Sequence, residues 1–305
     1  MMQARLAGSS DAVRGILLRL VAVAASTCTA ACVKYLDQQG IPISQSIFVR
    51  CALSMVVIVL LAWRVAGVRV LVAHNWRSHA WRSLSGTVGL FTWFASLTLL
   101  PLADATAIVF TSPLFVMLLA TLFLGERARR HHWIALALGF GGALIMISPH
   151  LSAGTPRSSL GILLALTSAI SGAMAMLFLR GMSRAEHPLT ITFYFSLLTT
   201  LCAALGALRG WPAPTAWQWL LILLGSVLGL VFQLLLTLSY RYATASTLAS
   251  LEYTSMIMAV LIGYLVFGDV PGIAIWIGTP LVIQAGLIIL WREYRLQRPA
   301  TGAAP

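Results

Sequence analysis

Residues 89–107 read "GLFTWFASLTLLPLADATA", and residues 229–247 read "GLVFQLLLTLSYRYATAST". Both open on Gly-Leu, both run from one apolar stretch into the next, and Ala103 and Ala105 have counterparts in Ala243 and Ala245. Further on, "ATLFLGE" (120–126) parallels "GYLVFGD" (263–269) after a shift of three residues. Each half therefore contains an apolar segment that ends in glycine and an acid. The chain reads as an internal duplication, and its composition says what kind of unit was duplicated.

Of the 305 residues, 59% are hydrophobic and 9% are charged. A soluble chain carries about 25% charged residues, so this is the composition of a membrane protein. A helix crossing about 30 Å of hydrocarbon needs about 20 residues. Apolar runs of that length occur near 15–36, 45–65, 82–100, 103–124, 132–149, 159–180, 189–209, 217–241, 244–267 and 272–292. The fold expected is an all-α polytopic membrane protein of ten transmembrane helices. Five per half is odd, so the second unit starts on the opposite face and is inverted relative to the first. The expected repeats are 15–149 and 159–292, with 1–14 and 293–305 as tails. Inverted repeats in membrane chains build transporters with a site near the midplane, at the repeat interface.

The net charge of +12 alone would fit a nucleic-acid binder. The basic residues, however, lie between apolar blocks and form no stripe along a soluble face, so the bilayer is the expected partner and nucleic acid is not. With ten spans, sixteen of the twenty basic residues fall on one side, from Arg5 to Arg298, while Lys34, Arg157 and Arg209 fall on the other and Arg50 lies within a span. The positive-inside rule then places both termini in the cytoplasm, in a bacterial inner membrane. Cys28, Cys32, Cys51 and Cys202 all lie in apolar segments with no His or carboxylate to complete a ligand set, so no metal and no cofactor are expected.

The motifs also carry a resemblance. "WRSLSGTVGLFTWFASLTLLPLADATAIVFTSPLFVMLLATLFLGE" (81–126), "SLEYTSMIMAVLIGYLVFGD" (250–269), "VKYL" (33–36) and "FVR" (48–50) resemble the corresponding segments of EamA-type carriers of the drug/metabolite transporter superfamily. The resemblance implies two inverted bundles around a central cavity, moving small organic solutes by alternating access. Many members carry proline where this chain has Ser250, whereas the first half keeps Pro113. These two positions are the candidate helix hinges.

Glu252 lies eight residues past Thr244, about 12 Å into its helix and close to the midplane. Intramembrane acids face a bundle interior or wet cavity, almost always with a partner. Glu252 is therefore the candidate for substrate binding and for proton coupling, against the alternative of a structural ion pair. Arg50, about 8 Å deep, suits a substrate carboxylate or phosphate, or else pins its helix. Tyr253, Trp93, Gln233, Gln284, Thr111 and Ser112 complete the candidate lining. Lys34 is expected to snorkel to the outer surface. Asp104 is expected to occupy a helix N-terminus, where the macrodipole favours an anion. The small residues "ASTCTAAC" (25–32) and "TSAISGAMA" (167–175), with Ser171 and Gly172 at the centre of the second, are expected to form close packing seams.

The function expected is secondary transport of a small metabolite, an amino acid or an amino-acid-like cofactor solute, with proton coupling as an option. One alternative is a carrier or flippase for a lipid-linked or cationic drug-like substrate. A distant alternative is an intramembrane enzyme, for which the chain lacks H-E-x-x-H, G-x-S-x-G and a second mid-span acid.

Overall fold

The computed structural model describes residues 2–65, 67–123, 130–152, 156–182, 186–242 and 254–297. Among these the regular structure is helical: α1 (Met2–Gln38), α2 (Ile43–Val65), α3 (Trp76–Leu97), α4 (Leu102–Val109), α5 (Ser112–Phe123), α6 (Arg130–Ser152), α7 (Pro156–Met182), α8 (Pro188–Ala204), α9 (Ala216–Tyr242), α10 (Thr254–Phe267) and α11 (Ile273–Gln297), with 3-10 turns at Val68–Leu71 and Leu205–Arg209. Six segments are long and apolar enough to cross a bilayer: Arg14–Gln38, Ile43–Arg64, Leu102–Phe123, Ser158–Leu179, Pro188–Arg209 and Ala216–Leu236. Shorter apolar helices lie at Ala137–Met146, Ile257–Phe267 and Ile273–Ala285.

The fourth expected span, 103–124, is a broken helix rather than one continuous rod. α4 stops at Val109, and the turn at Phe110 and Thr111 precedes α5. A proline has no N–H to continue the ladder and disfavours helical geometry in the residue before it. Pro113 is therefore accommodated by starting a new helix at Ser112. The Thr111 N–H and hydroxyl both donate to the Ile108 carbonyl, at 3.0 and 2.7 Å, and close the end of α4. Asp104 lies in the first turn of α4, as expected from the dipole.

The third expected span falls short of membrane hydropathy for a different reason. α3 buries His79, Arg82, Ser83, Ser85, Thr87 and Ser96, and it exposes Trp76, Trp81, Leu84 and Val88. Its polar face points into the protein and its apolar face points out. In water such a surface would be an association liability; in lipid it is the favourable arrangement. The same holds for the exposed Val56, Leu60, Leu201, Leu220, Leu261 and Ile277.

The largest helix–helix contacts pair α1 with α9, α6 with α11, α3 with α7 and α2 with α8. Small residues make the first and third of these possible. A Cβ added at Gly225 of α9 would sit 3.3 Å from Cys32 Cβ, and the Thr29 hydroxyl donates to the Gly225 carbonyl at 3.3 Å. On the other side, a Cβ at Gly89 of α3 would meet Gly172 N at 3.4 Å and Ser171 Cβ at 3.6 Å, and Ser168 Oγ donates to the Gly89 carbonyl at 2.9 Å. Both small-residue segments are thus close-packing surfaces, as lipid-embedded helices require. At the centre, Ala30, Ile47, Phe94, Leu97, Leu102, Ile108 and Ala165 form one apolar core.

Candidate functional site

α2 and α3 are joined by a short connection, so their N-terminal ends lie at opposite ends of the bundle. Arg50 projects from the second turn of α2 and is half-buried. Its guanidinium lies 5.7 Å from the centroid of the Phe94 ring. It rests against Gly229 of α9, where an added Cβ would collide with Arg50 Nε, Cζ and Cδ. Thr29, Cys32, Ser46, Arg50, Gly225 and Ser226 line a crevice of about 10 Å³ between α1, α2 and α9, room for about one water. Small-molecule pockets run to about 300–1,000 Å³, so an organic solute needs more room than these helices leave here. Among the described residues, no carboxylate pairs with the Arg50 guanidinium.

The other expected lining residues are scattered around this centre. Trp93 is partly buried against the apolar core. Thr111 is fully buried, with its hydroxyl turned to its own helix. Ser112 is half-buried, with Oγ 3.9 Å from the position of a Gly172 Cβ, so α5 meets α7 where the small residues lie. Gln233 is half-buried on α9 and has a polar or charged partner. Gln284 is exposed on α11. Glu252, Tyr253 and Ser250 lie outside the described residues.

Both ends of the bundle are tied by polar contacts between distant parts of the chain. At the α1–α2 end, Lys34 does not snorkel. It is buried, with Nζ 2.9 Å from Asp269 Oδ2 and 3.2 Å from the Leu100 carbonyl, and 4.7 Å from the Phe267 centroid. An acid and a carbonyl within reach satisfy the ammonium better than a stretch toward distant water. Gln45 Nε2 donates to the Pro212 carbonyl at 3.1 Å, and Trp211 packs on Phe48 and donates to Ser44 Oγ at 3.3 Å.

At the α2–α3 end, the buried carboxylate of Glu186 accepts the backbone N–H groups of His74 at 2.9 Å and Asn75 at 3.1 Å. His79 Nε2 lies 3.4 Å from Oε1 and His74 Nδ1 3.6 Å from Oε2. Burial pushes the Glu186 carboxyl up, but the Asn75 N–H, the His79 side chain and the His74 N–H outweigh it and hold it below the usual carboxylate range. Asn75 in turn caps α3 by accepting the Ser78 N–H, and the Thr190 hydroxyl donates to the Val70 carbonyl. Glu186 drew no attention in the sequence because it sits in a connection among polar residues.

Two segments of the chain, residues 13–148 and 159–291, match the EamA-like transporter family. The chain belongs to that family. It is an integral membrane protein and a small-molecule transporter of the drug/metabolite transporter type, and the internal repeat read from residues 89–107 and 229–247 falls across the two matches. The riboflavin transporter of Rhizobium johnstonii is 35% identical over 226 residues, 74% of this chain and 73% of that protein. The S-adenosylmethionine uptake transporter of Rickettsia bellii is 29% identical over 70% of this chain and 72% of its own length. The pseudopaline exporter CntI of Pseudomonas aeruginosa is 30% identical over 94% of this chain and 97% of its own. A protein of known crystal structure shares the fold at 20% identity, with a TM-score of 0.56 over 96% of this chain and 99% of the other. This EamA-family chain thus has relatives named for both uptake and export.

Proposed function

We propose that this transporter is a ten-helix carrier of two inverted repeats, 15–149 and 159–292, with both termini cytoplasmic in a bacterial inner membrane. It moves a small metabolite, an amino-acid-like or cofactor solute, by alternating access. The observation that carries this reading is Arg50: a cation within a membrane helix, without a carboxylate partner among the described residues, facing an aromatic ring and a crevice between α1, α2 and α9. A guanidinium in that setting is a ready bidentate receptor for a solute carboxylate or phosphate.

The packing supports inversion. If α1 and α7 open equivalent repeats, a twofold relation in the membrane plane pairs α1 with α9 as it pairs α7 with α3, and sets α2 against α8 and α6 against α11. Those are the largest contacts. The relatives' names support the solute class, since S-adenosylmethionine is amino-acid-derived and riboflavin is a cofactor precursor. In this reading Trp93, Thr111, Ser112, Gln233, Gln284 and Tyr253 line the open route, and Glu252 titrates to couple protons. Pro113 and Ser250 mark the hinges, and the halves rock on the seams at Thr29 and at Ser171–Gly172.

Flux of radiolabelled riboflavin, S-adenosylmethionine and amino acids into proteoliposomes tests the proposal. One class should show saturable flux that falls at least about tenfold in Arg50→Gln, the loss of one charge-assisted pair. Absence of saturable flux for every class, or full flux in Arg50→Gln, would sink it. An unchanged response to a pH gradient in Glu252→Gln would remove Glu252 from the coupling role.

A further inference from the structure

Arg82, in the second turn of α3, was counted from the sequence as a topological charge at the membrane edge. Its environment is that of a receptor. The side chain is buried, and among the described residues Nε and Nη1 have no hydrogen-bond partner. Its guanidinium lies 5.2 Å from the centroid of the Phe195 ring of α8. Gly86, one turn along α3, makes room for both: an added Cβ there would collide with Arg82 Nη1 and lie 3.0 Å from Phe195 Cε2. Glu186, the buried carboxylate at this end, is already engaged by His74, Asn75 and His79. A buried charge with donors left unmade is unfavourable, and the penalty is removed when an anion completes the set.

The same construction occurs twice. Arg50 rests on Phe94 against Gly229 near one end of the bundle, and Arg82 rests on Phe195 against Gly86 near the other. We infer that Arg82 and Phe195 form a second anion-binding station, near the α2–α3 end, for a carboxylate or phosphate carried on a planar apolar body. The guanidinium takes the oxyanion bidentately, and the ring offers a stacking face to the attached body. A lipid phosphate is the less suited source, because the lipid-facing side of α3 is the opposite one, with Trp81, Leu84 and Val88 exposed. As a binding site it stands on this geometry alone; its place on the translocation route rests on the carrier reading above.

Binding of phenyl phosphate to the full chain in phosphatidylcholine nanodiscs tests it, read as saturable thermal stabilisation, with every protein compared, wild type at Arg82 included, carrying Arg50→Gln so that the first arginine cannot answer for the second. Wild type should bind phenyl phosphate more tightly than inorganic phosphate. Arg82→Gln should weaken phenyl phosphate at least about tenfold, and Arg82→Lys should weaken it less, since it keeps the charge and loses the fork. Phe195→Leu should remove the preference for the phenyl ester while sparing inorganic phosphate. Equal affinity in wild type and Arg82→Gln, no saturable stabilisation of wild type, or a response only to phosphatidylglycerol in the disc would each overturn the station. Should Arg82→Gln fail to fold, the Phe195→Leu comparison decides alone. Solute flux without Arg82-dependent binding refutes the station but leaves the carrier; binding without flux does the reverse.

Discussion

Lys34 and Asp269, 235 residues apart in sequence, meet at 2.9 Å and tie the end of α1 to the connection between α10 and α11. The lysine is buried and the aspartate is about one-quarter exposed, at 26%. Removing only the acid strands an ammonium whose other polar contact is the Leu100 carbonyl. Asp269→Asn should therefore destabilise by about 1–3 kcal/mol. The double variant Lys34→Met, Asp269→Leu should recover part of that loss, because paired apolar groups replace a buried ion pair with little penalty. Thermal unfolding of the wild type, both single variants and the double variant measures the coupling. Strictly additive losses would show that the two side chains do not stabilise each other.

Glu186 gives the opposite end a pH dependence of defined sign. Its folded-state pKa lies below the ordinary carboxyl value, which is about 4.3. The unfolded chain therefore takes up the proton first as pH falls. The stabilisation is complete above about pH 5 and fades as pH drops through the depressed folded value. Glu186→Gln should lower stability at pH 7, shrinking the gap to wild type as the buffer is acidified toward pH 3. Melting temperatures across that range provide the check; parallel curves for the two proteins would rule out the carboxylate as the source.

The membrane class and the helical segments were legible because hydropathy and basic-residue placement are local properties. α3 tested that legibility. Its polar stripe at His79, Arg82, Ser83 and Thr87 follows the three-to-four spacing of one helix face, and this is the signal that would have marked Arg82 as interior rather than as a flank. Lys34 was misread as snorkelling because its partner Asp269 is brought near only by tertiary packing. The Glu186 cluster joins two connections that no local pattern relates. The break at Thr111 was visible only as Ser112-Pro113 inside an apolar run, where a kinked continuous helix reads the same way. Glu252, the residue on which the sequence reading leaned most, lies outside the described residues and stays a proposal.

The α6–α11 contact depends on two glycines. A Cβ on Gly142 would come within 2.7 Å of the Gly278 carbonyl oxygen, and one on Gly278 within 2.5 Å of the Gly142 oxygen. Backbone atoms cannot rotate aside as a side-chain end does, so the helices themselves must separate. Gly278→Val should destabilise by about 1–3 kcal/mol, with Gly142→Ala similar in direction. Denaturation of purified protein in detergent tests this. Unchanged stability in Gly278→Val would show that α6 and α11 tolerate a wider spacing.

Gly229→Ala probes Arg50 without removing it. The new methyl would collide with Arg50 Nε, Cζ and Cδ, but those atoms belong to a flexible side chain that swings away, and alanine favours the helix by about 0.8–1.0 kcal/mol over glycine. The fold should therefore persist while the guanidinium leaves the face of Phe94. If Arg50 binds solute, KM for transport should rise several-fold in Gly229→Ala with little change in melting temperature, and Gly229→Ser should behave alike. A purely structural Arg50 predicts the reverse pattern, a lowered melting temperature with KM preserved. Measuring the two quantities on one preparation separates these roles without touching the charge itself.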